Sequence, residues 1–247
     1  MRRERFFAVL RMTVWASAMF ALASCSVKED RTDCPCWLTV RASYPNEAVS
    51  AWYGTHMLFD GLMGQQVDRQ VPRGEVAVLA SCGSFTVHVG EQMDELFASI
   101  VRVNTQGETA EVTPKLNKQF ARVHLEFKES DEGRVEHTLV VEGNVKGSDK
   151  RTLQPVTGPF RCTPTASSGR GYEVNVPRQK DDSLVLRQYD EDGVEFSPIP
   201  IGQIIRKAGF DWTQESLGDV SIIADIPEST FQITITDWDG ISMTVKI

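Results

Sequence analysis

The chain has 247 residues with a formal net charge of −8 at pH 7, and 24% of its residues are charged and 41% hydrophobic. The acidic balance, without a basic stripe of interleaved aromatic residues, argues against nucleic-acid binding. The apolar content is enough for one large core or for two cores of about 100 residues each.

The first 25 residues have the order of an export signal. A charged start at residues 1–5 leads into a mostly apolar stretch. Its uncharged part, residues 12–23, is shorter than the about 20 residues that a membrane-spanning helix needs. Residues 1–24 are therefore predicted to be a signal peptide. Their loss removes four arginines and one glutamate, which leaves a mature charge of −11.

The end of this signal is Leu22-Ala23-Ser24-Cys25, which resembles the bacterial lipobox. In that motif the thiol is diacylated and the peptide before it is removed, and two or more acyl chains suffice for stable membrane attachment. Cys25 is thus the predicted lipidation site, and residues 25–36 are the predicted lipidated tether. The alternative is an ordinary signal peptide beside an unmodified cysteine. Residues 28–30 (KED) resemble a surface-export signal of Bacteroidetes lipoproteins and predict surface exposure.

Four further cysteines would enter a compartment that permits disulfides. They allow three pairings, among which the sequence does not choose. The C-x-C of Cys34 and Cys36 is interpreted as structural, with one of its thiols bridged to Cys82, while Cys162 has no assigned partner. The histidines are scattered singly, so no metal site is predicted.

Alternation of apolar and polar residues dominates the rest of the chain and is typical of strands with one buried and one wet face. Residues 119–128 show it clearly, and residues 84–89 predict a strand with Phe85, Val87 and Val89 inward. The last 17 residues predict a hairpin that turns at Asp239-Gly240. Further strands are predicted at residues 37–42, 75–80, 100–104, 138–145, 172–176, 183–189 and 220–225, and one short helix at residues 202–208.

Short strands at regular spacing favour antiparallel sandwiches over a parallel α/β sheet. The polar stretch at residues 129–133 predicts a domain boundary. The expected domains are an N-terminal β-sandwich over residues 37–130 and a C-terminal β-sandwich over residues 131–247.

Several segments together resemble one family. Residues 25–38 (CSVKEDRTDCPCWL) are similar to the amino terminus of the FimB-type fimbrial anchor lipoproteins of Bacteroidetes, relatives of the fimbrillins. Residues 118–123 (KQFARV) resemble the strand that closes that family's first domain. Residues 200–202 (PIG), 209–212 (GFDW) and 235–238 (ITDW) resemble its second domain. The order and spacing of the segments carry the resemblance.

The resemblance implies an all-β chain of two tandem transthyretin-like (Greek-key) antiparallel β-sandwich domains. It also implies a lipid anchor in the outer membrane at the base of a fimbrium, a fimbrillin-like stalk subunit as partner, and a role in cell adhesion. Stalk subunits of this group join by strand complementation after an arginine-specific protease removes their first strand. Cleavage at Arg31 or Arg41 would separate the body from Cys25, which suggests that this chain is retained intact.

No pattern in the sequence indicates catalysis, a cofactor or a small-molecule substrate. Glycine loops for phosphates and the G-x-S-x-G elbow are absent. The acidic pairs at residues 94–95 and 181–182 are interpreted as solvated surface, and residues 190–193 (DEDG) as a turn rather than half a calcium loop.

The alternatives to a fimbrial anchor are a fimbrial tip adhesin, a surface glycan-binding lipoprotein and, with least support, a secreted glycosidase. If the chain is an anchor, we expect buried tryptophans and an available sheet edge or groove. If it binds glycans, we expect two or more coplanar exposed aromatic rings. A glycosidase predicts paired carboxylates in a cleft. The tryptophans concerned are Trp37, Trp52, Trp212 and Trp238.

Overall fold

The computed structural model describes residues 34–128, 138–167, 171–225 and 230–247. The predicted signal peptide, the lipidation site Cys25 and most of the tether lie outside the described residues. The strands are β1 (Cys36–Arg41), β2 (Ala48–Tyr53), β3 (His56–Met63), β4 (Gln66–Val71), β5 (Glu75–Cys82), β6 (Phe97–Asn104), β7 (Thr109–Val112), β8 (Asn117–Lys118), β9 (Phe120–Phe127), β10 (Thr138–Ser148), β11 (Pro155–Cys162), β12 (Thr165–Ala166), β13 (Gly171–Pro177), β14 (Val185–Tyr189), β15 (Asp219–Asp225), β16 (Thr230–Thr236) and β17 (Ser242–Lys246), and the helix is α1 (Ile201–Lys207).

The first half of the chain forms a sandwich of two sheets. One sheet has the order β4-β1-β7, and the other has the order β3-β2-β5-β6-β8. The inward residues of β1, Leu38 and Val40, are fully buried against Val49, Val76 and Val78 of the facing sheet. Alternate residues of each strand therefore build this first core, as the two-residue period requires.

The second half forms a larger and less symmetric sandwich. A six-stranded sheet of order β12-β13-β9-β15-β16-β17 is opposed by a three-stranded sheet of order β11-β10-β14 and by α1. Its core includes Val123 and Leu125 of β9, Ile222 of β15 and Ile233 of β16. The prediction of an almost entirely β chain of sandwich type is confirmed.

Strand β9 lies in the second sandwich, although the sequence placed it in the first. It pairs antiparallel with β13, from Phe120 opposite Pro177 onward, and parallel with β15. The change of sheet therefore falls between β8 and β9, near Gln119, and not at residue 130. The polar stretch at 129–133 leads from β9 to β10 inside the second half of the chain, and it lies outside the described residues.

The connection between β5 and β6, residues 83–96, runs across the second sandwich. The backbone N–H of Val87 donates to the carbonyl of Lys146 at 2.9 Å, and that of Ser148 donates to the carbonyl of Phe85 at 2.8 Å. Phe85 and Val87 are buried as predicted, but Val89 is 68% exposed and the segment forms only isolated bridges. The predicted strand at 84–89 is thus corrected to an extended connection that ties the two halves together.

The predicted short helix is present one residue earlier, as α1. It starts after Pro200 and buries Ile201, Ile204 and Ile205 against the second core. Within the described residues no helix is long and apolar enough to span a membrane.

Candidate functional site at the C-terminal sheet edge

Strand β17 is the last strand of the six-stranded sheet, and its outer edge is unpaired within the described part of the chain. The predicted hairpin is confirmed: β16 and β17 pair antiparallel, with Ile233 opposite Val245 and Ile235 opposite Met243. Gly240 adopts a φ of +84°, which favours glycine in the turn. A row of backbone N–H and C=O groups therefore lies open along β17.

The apolar side chains of this edge are poorly covered. Ile233 on β16 is fully buried, and Val245 opposite it is partly buried against the core. By contrast, Met243 on β17 is 51% exposed and Ile247, just after β17, is 39% exposed. The facing sheet has only three strands against six, and β17 is only partly covered. The Cε atom of Met243 lies close to Gly209, just after α1. A Cβ atom added to Gly209 would be 3.3 Å from that Cε.

The turn of the hairpin extends this apolar surface. Trp238 is 43% exposed and Ile241 71% exposed. The Trp238 ring packs against Phe97 at the start of β6, with 5.7 Å between ring centroids. We call Trp238, Ile241, Met243 and Ile247 the edge patch. An uncovered edge of this kind is a surface that soluble proteins usually protect.

The four tryptophans do not form one platform. Trp52 and Trp212 are buried, at 4% and 7% exposed, and only Trp37 and Trp238 are open to solvent. Trp37 pairs with Gln70, near the turn from β4 into β5, whereas Trp238 contacts Phe97. Since β5 pairs antiparallel with β6 so that Glu75 faces Asn104, these two rings lie at opposite ends of β6. The two rings therefore do not lie side by side as one stacking platform.

Cys36, Cys82 and Cys162 are free thiols. Cys36 is buried in the first core opposite Val71, at the start of β1, while Cys82 lies at the far end of β5, where its thiol contacts the carbonyl of Asn46 at 3.7 Å. The structure thus gives no support to a Cys36–Cys82 bridge, since about a strand length separates the two. A Cys34–Cys82 bridge stays a prediction. Cys162 is buried in the second core, and burial raises the pKa of its thiol to about 12.

The acidic pairs noted in the sequence are engaged in structural contacts. Glu95 pairs with Arg122, and Asp182 pairs with Arg206. Asp181 accepts hydrogen bonds from Ser183, which lower the pKa of its carboxyl group. Among the described residues no group of three potential metal-ligating side chains comes together.

The DEDG segment forms the turn that was predicted. The carboxylate of Asp190 accepts the backbone N–H of Val194 at 2.7 Å, and the N–H of Gly193 donates to the carbonyl of Asp190 at 3.1 Å. Asp190 is therefore used to close a turn.

Comparison with solved structures identifies the fold. The fimbrial anchor protein Mfa2 from Porphyromonas gingivalis matches with a TM-score of 0.52 and 12% identity, over 83% of this chain and 98% of that one. A candidate polysaccharide-binding protein from Bacteroides thetaiotaomicron matches with a TM-score of 0.58 and 11% identity, over 85% and 98%. A candidate adhesin from the same organism has a TM-score of 0.56 and 15% identity, over 88% and 100%.

No protein-family model and no curated protein matches the sequence. The structural similarities show a shared fold, and they confirm at that level the resemblance to Bacteroidetes fimbrial anchor proteins.

Proposed function

We propose that this chain is a minor fimbrial subunit that attaches a fimbrial stalk to the outer membrane, with the edge of β17 as the pairing site for the stalk and Cys25 as the lipid anchor. The observation that carries the proposal is the open β17 edge on a fold shared with a fimbrial anchor protein. The proposed location is the cell surface, and the role is adhesive and needs no catalytic group.

Strand addition at β17 has a direct physical basis. An incoming strand satisfies the unpaired N–H and C=O groups of the edge, which gives affinity without sequence demands. Its alternate side chains cover Met243 and Ile247, and each largely buried apolar side chain contributes about 1–2 kcal/mol. Affinity then comes from the main chain and selectivity from the edge patch.

Strand β1 supports the proposal that the chain stays intact. It is the central strand of its sheet, between β4 and β7, and its inward residues Cys36, Leu38 and Val40 are fully buried. Cleavage after Arg41, at the end of β1, would remove this strand from the core and separate the body from Cys25. A subunit that ends the polymer at the membrane has to avoid both outcomes.

The test compares three versions of the protein in the native host: wild type, Cys25→Ala and Thr244→Pro. Proline in β17 removes a backbone N–H and restricts φ, so it weakens an added strand. Wild type should be surface-exposed and should co-purify a fimbrillin-like stalk after gentle detergent extraction. Cys25→Ala should shed fimbriae into the medium, and Thr244→Pro should stay in the membrane without stalk.

Asp239→Pro, at an exposed position in the hairpin turn, serves as a matched control, because the backbone of Asp239 lies outside the strand. Circular dichroism of each variant checks that the fold is kept. Membrane attachment without Cys25, or stalk capture by Thr244→Pro at the wild-type level, would contradict the anchor mechanism.

A second candidate function is glycan binding at the cell surface. One observation favours it: the fold is shared with a candidate polysaccharide-binding protein. The separated positions of Trp37 and Trp238 disfavour an aromatic platform, so the anchor function is preferred.

A further inference from the structure

A polar cleft of about 500 Å³ opens where the first sandwich meets the second. Its walls come from β6, β8, residues 152–155, residues 178–180 and residues 212–215. The volume lies within the range of small-molecule sites. The walls are richer in amides, hydroxyls and charges than such sites usually are, so their chemistry suits a polar ligand.

Arg178 forms the rigid part of this cleft and is only 8% exposed. Its guanidinium donates to the carbonyls of Trp212 at 2.5 Å, Gln214 at 2.6 Å and Glu215 at 3.2 Å. It also donates to the side-chain oxygen of Gln119 at 3.3 Å. These bonds use four of the five N–H donors of a guanidinium. They hold residues 212–215 in place and leave one N–H donor of the Arg178 guanidinium unused by these bonds.

The positive charge of Arg178 has no carboxylate partner in direct contact among the described residues. Asp211 acts on it only through space, and the Asp211 carboxylate accepts hydrogen bonds from the backbone and hydroxyl of Thr213. Burial lowers the pKa of Arg178 from its usual value, but the group stays cationic at neutral pH because arginine does not deprotonate in proteins.

A second cation lines the cleft. Lys180 is exposed, and its ammonium donates to the hydroxyl of Thr157 at 2.9 Å. Glu215 is the one acidic residue of the lining, and its carboxylate accepts a hydrogen bond from the side-chain amide of Asn117 at 2.7 Å. The formal charges of the lining, those of Arg178 and Lys180 against that of Glu215, sum to +1. Asp211 and Asp181 lie within electrostatic range of the two cations.

Three residues that line the cleft carry buried polar atoms without a hydrogen-bond partner in the described structure. They are the indole Nε1 of Trp212, the amide Oε1 of Gln179 and the hydroxyl of Ser99. These three atoms are closed off from solvent in the described structure, so a ligand in the cleft would contact other atoms of the lining.

We propose that this cleft binds an acidic sugar, a carboxylated saccharide unit such as a uronic acid, with its carboxylate toward Arg178 and Lys180. Hydroxyl groups of the sugar meet the amide and hydroxyl lining, and the Trp212 side chain offers an apolar wall. Charge-assisted hydrogen bonds from a guanidinium are among the stronger polar contacts. The lining of this cleft shares no residue with β17 or the edge patch, and the proposal stands whether or not a stalk subunit binds at β17.

The test is titration of the purified full-length protein with D-glucuronate, D-glucose and inorganic phosphate, followed by calorimetry and by tryptophan fluorescence. We expect saturable glucuronate binding with a Kd below about 10 mM, and at least about tenfold weaker binding of glucose. Lys180→Gln should weaken glucuronate binding roughly tenfold, which corresponds to the loss of one charged contact. Lys207→Gln, an exposed lysine on α1, is the matched control and should leave binding unchanged.

Gln154→Ala provides a second variant that keeps the charge and removes one amide from the lining. It should weaken both sugars alike. The proposal is overturned if glucuronate does not bind saturably, or if Lys180→Gln binds it as wild type does. It is also overturned if phosphate binds as tightly as glucuronate, since the cleft would then be a general anion site. Stalk capture by Thr244→Pro at the wild-type level, or membrane attachment of Cys25→Ala, would contradict the anchor function and leave these binding outcomes unaffected.

Discussion

Lys118 and Asp219 form an ion pair that joins the last strand of the first sandwich to β15 of the second. The Lys118 side chain is 6% exposed and its Nζ lies 4.6 Å from the centroid of the Phe120 ring, while Asp219 is 45% exposed. The same Asp219 oxygen also accepts the backbone N–H of Arg122 at 2.9 Å. One carboxylate therefore neutralises a buried cation and fixes the start of β9.

We expect Asp219→Ala to lower the free energy of unfolding by about 2 kcal/mol. Loss of the carboxylate leaves the Lys118 charge buried without its partner, and the half-exposed position of Asp219 reduces the effect below that of a fully buried pair. Lys118→Met should cost less, because it removes the charge as well. Urea denaturation measures both. Glu75→Ala, which breaks an exposed pair with Arg102, is the control and should change little. Equal effects of Asp219→Ala and Glu75→Ala would refute this role.

Gly147→Ala should detach the β5–β6 connection from the second sandwich. Gly147 has a φ of +136°, and a Cβ there would lie 2.0 Å from the carbonyl oxygen of Phe85. That oxygen accepts the N–H of Ser148, so the backbone has to move and the bond is lost. We expect a loss of about 3 kcal/mol in thermal or urea unfolding.

Gly54→Ala is the matched control for this substitution. Gly54 also has a positive φ, of +56°, but nothing lies within 4 Å of the added Cβ. It should cost only about 1 kcal/mol of backbone strain. Similar losses for both variants would show that the contact with Phe85 is not decisive.

Arg41 should resist an arginine-specific protease in the folded protein. Its side chain bonds Glu111 and Gln66, the latter at 3.1 Å, and the N–H of Ala42 donates to the carbonyl of Gln65 at 2.9 Å. The peptide bond after Arg41 is thus held in paired structure and is poorly available to a protease. Glu111→Ala should speed cleavage there, as followed by mass spectrometry of the fragments. Cleavage after Arg41 in the wild type before global unfolding would argue against an intact anchor.

Cys162 should react slowly with iodoacetamide in the folded, reduced protein. Its pKa of about 12, raised by burial from 9.0, keeps the thiol protonated at pH 8, and thiolate is the reactive form. The raised pKa favours the folded state most fully below pH 9, and this contribution is lost as the pH rises from about 9 toward about 12. Cys82, which is only partly buried, should be alkylated first, and Cys162 only with unfolding. Peptide mapping over time distinguishes them; equal rates would contradict the buried position.

The sequence predicted most strands of the second sandwich. Alternation of apolar and polar residues indicates a strand with one buried face, whichever strand it pairs with. Residues 119–128 became β9, residues 220–225 became β15, and the last 17 residues became the β16–β17 hairpin with its turn at Gly240. Strands such as β3 (HMLFDGLM) and β4 (QVDRQV) were missed, since their edge positions demand no regular alternation.

The partners of these strands were decided only by the tertiary structure. The same alternation in β9 is compatible with either sandwich, and pairing with β13 and β15 places it in the second. The exposure of Met243 likewise depends on how far the facing sheet extends, which no local pattern records. Arg178 and its carbonyl partners at residues 212–215 are more than 30 positions apart in the chain, so only the fold brings them to one cleft. Sequence by itself determined the strand character of the chain, because that depends on local periodicity, and it predicts the export signal and the lipidation site at Cys25 from local chemistry. The open edge and the charged cleft required the tertiary structure, because both arise from contacts between distant segments.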